Sequence, residues 1–412
     1  MRITAIETLR VAAFGNLLWL RVETDEGVTG QGEAFRNAEA TEAYIHETLA
    51  PYLLGQDPRL VNAHREAIGR RIGNRFMGTP SRSVEVRGNA AVDLALWDIL
   101  GKSLGVPLAT LLGGRVREGI RVYNTCAGPA YNTVPTVGWA TRLAEPGAAP
   151  AAPLDDLQAQ LDDPAGLARS LLAEGVTAMK IWPFDRFAAA TGGSDIPAAD
   201  LERGLAPLRA IRDAVGTAMD VMVECHGLWR LPAAVRIARA IEPYGVFWLE
   251  DPIEMHRLDD LARLRQAACV PIAGSENHGT AHWYAEAFAR GLVDYAHFDI
   301  GWMGGLSEAL DVAALARAHD RCIAPHDCVG PVTLAANLQL VMSQPHAILL
   351  ETVRAYLRGF YAEVVLPLPL IADGTARPLE GPGLGVELAP GLRSRPDART
   401  RRSDRSPAAP AP

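Results

Sequence analysis

The sequence predicts an α/β chain: a barrel of alternating strands and helices, preceded by an N-terminal α+β unit. Three observations carry this expectation. After residue 119, short apolar runs alternate with amphipathic segments, the pattern of βα units around a parallel sheet. Six of the runs end in a titratable side chain, namely Glu224, Glu250, Glu276, Asp299, His326 and Glu351, with 26 residues from 224 to 250 and again from 250 to 276. A βα unit of an eight-fold barrel takes roughly 30 residues, and the active site sits where the strands end. The ladder therefore reads as one face of one barrel, with three carboxylates that can hold a cation beside a base. Finally, residues 1–35 read as strands and are followed by helical patterns, an α+β layer rather than a βαβ series.

Element by element, Leu17 to Thr24 alternates, Asp25-Glu26-Gly27 turns, and Val28 to Ala34 returns. Helices are expected at 38–54, 59–72 and 84–104, with a Gly-, Pro- and Ser-containing loop at 72–83. Barrel strands are expected at 120–125, 178–181, 221–223, 247–249, 272–274, 295–298, 323–324 and 348–350. Helices are expected at 202–214, 232–241, 258–268, 281–290, 306–319 and 333–342. Two segments, 127–153 and 183–199, are longer than a plain barrel needs, and both follow strands, so they are expected to shape a substrate pocket. The end, 396–412, lacks large apolar residues and is rich in Pro and Arg; it is expected to be disordered.

The chain has 412 residues, 49% hydrophobic and 21% charged, with a formal net charge of -8. That is enough for one large domain plus a smaller one. No basic stripe points to nucleic acid. No apolar run approaches the roughly 20 residues that cross a bilayer, and the N-terminus begins as an alternating strand without a basic-then-apolar leader. Five cysteines without a CxxC pair fit a reduced chain. A cytoplasmic protein without membrane or nucleic-acid partners is expected.

The segment RGNAAVDLALWDILGKSLGVPLATLLGG (87–114), LEDP (249–252), IAGSEN (272–277) and PGLGVEL (382–388) stand in this order. Together they resemble the mandelate racemase/muconate-lactonizing group of the enolase superfamily, up to about residue 390. The resemblance implies a modified (β/α)7β barrel of the TIM type with an N-terminal α+β capping domain. On this chain that divides into a capping domain at 1–115, a barrel at 116–365, and a return to the capping domain at 366–395. It implies one Mg²⁺ per active site, held by Glu224, Glu250 and Glu276 at the ends of the third to fifth strands. It implies an Asp299–His326 dyad from the sixth and seventh strands, and Glu351 from the eighth on the substrate carboxylate. A homo-oligomer is implied as well. Two departures stand out: the third-strand ligand is usually Asp, and the second strand usually ends Lys-x-Lys, where this chain reads Lys180-Ile181-Trp182. The missing second Lys argues against a two-base racemase.

Such a constellation suits removal of a proton next to a carboxylate, because a divalent cation stabilises the enediolate charge where it develops. Mg²⁺ prefers oxygen ligands and keeps open positions for water and substrate. His326 is the candidate base, with Asp299 to fix its tautomer; the plain alternative is a core His beside an Asp. His226, two residues after Glu224, shares its strand face if the strand continues. It either donates a proton to a departing hydroxide or only binds substrate hydroxyls. A His at this place resembles acid-sugar dehydratases such as those acting on galactonate, gluconate or mannonate. Lys180 either donates to the substrate carboxylate or forms a rim salt bridge. Trp182 is a candidate pocket wall. His278, His282, Trp302 and Arg354 follow strand ends and are candidate substrate contacts; Arg75 and Phe76 are candidate closing residues. The expectation is a Mg²⁺-dependent dehydratase of a small anionic sugar acid. A racemase, epimerase or cycloisomerase sharing the enediolate is the enzyme alternative, and a barrel kept for binding alone is the non-catalytic one.

Overall fold

Eight parallel strands follow one another round a sheet in chain order: Ile120–Thr125, Ala178–Ile181, Asp220–Glu224, Trp248–Glu250, Ile272–Gly274, Tyr295–Ala296, Cys322–Ile323 and Leu350–Thr352. The structure, a computed structural model, describes residues 1–69, 83–131, 154–278 and 280–405. Each strand pairs with the next up to the seventh, and the eighth pairs with the first through Leu350↔Val122 to Thr352↔Asn124. The junction between the seventh and eighth strands is a single parallel bridge, Ile323↔Ala347, with the Ile348 N–H on the Ile323 carbonyl at 3.1 Å. The expected loop 72–83, with Arg75 and Phe76, lies almost wholly outside the described residues, as does most of the 127–153 insertion.

The barrel interior is layered by strand alternation. Tyr123, Ala178, Met222, Trp248, Ala273, Ala324 and Leu349 form an apolar floor. Successive side chains of a strand point to opposite faces, so the residue two further on shares the same interior. Two residues on from the floor stand Thr125, Lys180, Glu224, Glu250, Ser275, His326 and Glu351. The sequence alternation thus stacks a charged layer directly on a dry one. Register keeps the layer level, since Glu224 lies opposite Glu250. The eighth strand is shifted from its expected place: it runs Leu350–Thr352 rather than 348–350, so Glu351 sits within the strand and not beyond its end.

The N-terminal sheet runs antiparallel in the order 398–404, 3–11, 17–24, 29–35. The expectation of disorder at 396–412 is corrected for its described part. Ala398–Asp404 pairs with the first strand from Ala5↔Asp404 to Val11↔Ala398. An edge strand needs backbone partners and not large apolar side chains, and charged residues suit an edge. Arg402 reaches Glu23 at 2.9 Å, and Ser403 Oγ lies 2.8 Å from His46 Nδ1. Residues 406–412 lie outside the described set.

The helix Val84–Leu104 packs on this sheet. Gly30 and Gly32 allow the approach: a Cβ at Gly32 would lie 1.9 Å from the Ala91 carbonyl oxygen, and one at Gly30 2.0 Å from that of Ala95. Buried carboxylates then tie this layer to the barrel. Glu33 accepts from Thr333 N–H at 3.0 Å and Thr333 Oγ1 at 2.9 Å, near the start of the helix Pro331–Ser343. Asp93 accepts from Ser307 N–H at 3.0 Å and Ser307 Oγ at 2.5 Å, at the start of Leu306–Ala318. Each satisfies a helix N–H that has no partner within its own helix. The C-terminal return is fixed the same way, with Leu384 N–H donating to Asp98 at 2.8 Å.

Candidate active site

Above the charged layer lies a cavity of about 200 Å³, lined by Thr125, Lys180, Trp182, His226, Glu276, Trp302 and His326 from the barrel and by Phe35 and Arg36 from the N-terminal layer. Tyr131, Leu228, Asn277 and Cys328 complete the wall. Barrel strand ends supply the reactive groups and the N-terminal layer closes the far side.

Glu224, Glu250 and Glu276 are buried and each offers an oxygen within 4.8 Å of the others. Glu224 turns Oε1 back onto the chain, where it accepts the N–H of Cys225 at 2.9 Å and that of His226. Among the described residues its Oε2 is buried with no hydrogen-bond partner, and Lys180 Nζ lies 3.7 Å away. Burial and then the neighbouring Glu250 push the Glu224 carboxyl well above the usual carboxylate range. Three converging hard oxygen donors, one of them with no hydrogen bond among the described residues, fit a divalent cation such as Mg²⁺, and a cation there relieves the crowding of like charge.

Lys180 is buried at the centre of the layer, 2.6 Å from Glu250, 3.0 Å from Glu351 and 3.7 Å from Glu224. Burial works against its charge, but these carboxylates outweigh it and hold the ammonium protonated. Glu351 does not line the cavity. It accepts from Thr125 Oγ1, from Asp327 N–H at 2.8 Å and from Lys180, so it stands one layer behind two groups that do. A role for Glu351 in holding substrate therefore runs through Lys180. His297, not singled out from the sequence, completes this layer: its Nε2 is 2.9 Å from Glu250 Oε1 and its ring is fully buried. Strand alternation from Asp299 back to His297 was the signal that could have found it.

His326 Nδ1 is 2.7 Å from Asp299 Oδ2, and Nε2 is 2.7 Å from Glu276 Oε2. Burial alone would lower the imidazole, but Glu276, Glu351 and Asp299 together raise it well above the usual histidine range. The dyad is thus assembled, with its outer nitrogen directed at the carboxylate triad. The Trp302 ring lies 5.1 Å from that of His326 and stacks on Phe35 at 5.9 Å. The guanidinium of the buried Arg87 sits 4.6 Å from the Trp302 ring.

His226 reaches the cavity by another route than strand alternation. The third strand ends at Glu224, and His226 sits in the left-handed region at φ 49°, a conformation that costs energy for a non-glycine residue and gathers at functional sites. Its Nδ1 is 2.5 Å from Oδ2 of Asp185, a residue that sequence reasoning missed inside the long segment after the second strand. The Trp182 ring meets the His226 ring edge-on at 5.3 Å.

Other candidates are placed elsewhere. His278 lies between the rings of His256 and Trp283, at 5.6 and 6.2 Å, and His282 is exposed on the helix Ala281–Ala289; neither lines the cavity. Arg354 is held by Asp156 at 2.7 Å and Glu174 at 2.8 Å and is structural. Arg75 and Phe76 lie outside the described residues.

Residues 4–113 match the mandelate racemase / muconate lactonizing enzyme N-terminal domain, and residues 164–392 match the enolase C-terminal domain-like family. The chain belongs to the mandelate racemase/muconate-lactonizing group of the enolase superfamily. It is 31% identical to a D-galactonate dehydratase of Ralstonia nicotianae over 97% of this chain and 96% of that one. It is also 31% identical to a D-galactonate dehydratase of Variovorax paradoxus, over 94% and 92%. Among solved structures it resembles an enolase of the mandelate racemase subgroup from Agrobacterium tumefaciens, with TM-score 0.85, 40% identity and 98% and 99% coverage. An enolase protein from Sargasso Sea environmental sequence gives TM-score 0.86 at 41% identity, with the same coverage. The chain is therefore an enzyme of this superfamily, with the α/β barrel and N-terminal capping domain of its group. Among the described residues no helix is long and apolar enough to cross a membrane.

Proposed function

We propose that the protein is a Mg²⁺-dependent hydro-lyase that converts a sugar acid to its 2-keto-3-deoxy acid. The observation that carries this reading is the pair of histidines at the cavity, His326 from the seventh strand and His226 from beyond the third, four strands apart in an eight-strand ring. Elimination needs a base and an acid at neighbouring carbons, and two separate imidazoles supply both. The D-galactonate dehydratases of similar sequence support the reaction class.

Glu224, Glu250 and Glu276 would hold the Mg²⁺, which when bound supplies positive charge to the substrate carboxylate and so stabilises an enediolate. His326, oriented by Asp299, takes the α-proton in its neutral form, which a cation on the triad would favour by offsetting the Glu276 charge that raises the imidazole. Lys180, held by Glu250 and Glu351, adds fixed positive charge at the cavity floor. His226 delivers a proton to the β-hydroxyl, which leaves as water. The resulting enol tautomerises: carbon 3 gains a proton, the enol hydroxyl loses one, and both histidines regain their starting states. Phe35, Trp182 and Trp302 wall the site with aromatic rings.

The test is incubation of the Mg²⁺-loaded enzyme with a panel of aldonic and aldaric acids, galactonate among them, with detection of keto acid. At least one acid is expected to yield keto acid; failure of the entire panel contradicts the reading. Two histidines on opposed walls also favour a second reading, epimerisation through the same enediolate. That reaction exchanges the α-proton in D₂O without loss of water.

A further inference from the structure

Asp185 is a buried carboxylate beside the cavity that belongs neither to the ion layer nor to the buried acids that link the capping layer to the barrel. Asp185 follows the second strand at the start of the short segment Asp185–Ala188, three residues past Trp182. Its carboxylate is buried, and burial pushes its pKa up while His226 draws it down. Oδ2 lies 2.5 Å from His226 Nδ1, and Oδ1 is buried without a hydrogen-bond partner. Unlike Glu33 and Asp93, Asp185 accepts no helix N–H through its side chain. Unlike Asp156, it pairs with no arginine among the described residues. Leaving a carboxylate buried with one partner is costly, so its place is explained by what it does to that partner.

We propose that Asp185 is the positioning residue for His226, forming a second carboxylate–imidazole dyad opposite Asp299–His326; this rests on the dehydratase reading above. The pairing assigns the ring nitrogens. Nδ1 belongs to Asp185, so proton delivery to the leaving hydroxyl falls to Nε2. A carboxylate on the far nitrogen fixes both the tautomer and the ring orientation. The left-handed backbone at His226 and the Trp182 ring edge at 5.3 Å hold the imidazole against the cavity wall. Asp185 itself does not line the cavity, so it acts through His226 and not on the substrate. The dyad also accounts for Trp182 where Lys-x-Lys would place a second Lys: on this face the polar work passes to His226, and the indole packs against it.

The experiment compares wild type, Asp185→Asn and Asp185→Glu with Mg²⁺ in D₂O, on whichever panel acid wild type dehydrates. NMR reads α-proton exchange and water loss together. Asp185→Asn is expected to raise the ratio of exchange to elimination at least tenfold, with kcat falling more than KM rises, because only the acid step is impaired. Asp185→Glu is expected to recover part of the wild-type ratio. An unchanged ratio in Asp185→Asn, whether both rates persist or both fall together, overturns the proposal while leaving the dehydratase reading standing. A wild type that dehydrates no acid on the panel overturns the reading and the proposal with it.

Discussion

At the scale of single residues, charge is arranged so that each group is held by another. His326 stands between Asp299 and Glu276, and Lys180 is enclosed by three glutamates. A His326→Asn variant is expected to lose α-proton exchange by about 10²- to 10⁴-fold, the usual range for a general base, while still binding Mg²⁺ in a calorimetric titration. Exchange at the wild-type rate would show that another group is the base. Glu250→Gln is expected to weaken Mg²⁺ binding at least tenfold by calorimetry, since it removes a charged oxygen donor from a three-carboxylate set; unaltered affinity would place the cation elsewhere. The six titratable groups that close the apolar runs were legible in the sequence because their spacing repeats. Asp185 and His297 were not. Asp185 lies in an irregular segment with no period to betray it, and His297 lies just past the end of a strand only two residues long, Tyr295–Ala296.

At the scale of elements, the helix Val84–Leu104 was legible to the residue, because a long stretch rich in Ala, Leu and Val ends at Gly105, which takes the left-handed conformation of a helix C-cap. Strands of two or three residues were legible only in position. The edge strand Ala398–Asp404 was missed because its stability comes from backbone pairing with the first strand, a contact nearly four hundred residues away that composition does not encode. The glycines facing the helix carry a testable claim. Gly32→Ala places a methyl against the Ala91 carbonyl and is expected to destabilise the fold by about 2 kcal/mol or more, at the upper part of the range for overpacking. Chemical denaturation checks this, and a loss below about 0.5 kcal/mol would show that the helix can retreat from the sheet.

At the scale of the molecule, the capping layer and barrel are joined by buried acids, and this makes stability depend on pH. Glu33 is pushed by burial up to about 7, against the lowering effect of its Thr333 and Trp19 donors, and Asp93 and Asp98 are each pushed by burial up to about 6. A carboxyl whose folded value is raised contributes stability that is full below its ordinary value of 4.5 and is lost as pH rises through about 7. For Glu33 the gap is on the order of 3 kcal/mol at about 1.4 kcal/mol per unit. Glu33→Gln is therefore expected to lose less stability than wild type between pH 5 and pH 8 in chemical denaturation; parallel losses would show that Glu33 does not titrate in this range. This coupling of layers was invisible in the sequence, since Glu33 and Thr333 stand three hundred residues apart. What was legible at this scale was the barrel itself, through its regular alternation.

Metal-dependent elimination is read out most directly by following one aldonic or aldaric acid at a time by NMR in D₂O, with Mg²⁺ and then with the metal chelated. A 2-keto-3-deoxy acid is expected from at least one substrate, with a deuteron at carbon 3 and no product once the metal is removed. α-Proton exchange without loss of water across the panel, or keto-acid formation that persists after chelation, would contradict metal-dependent elimination.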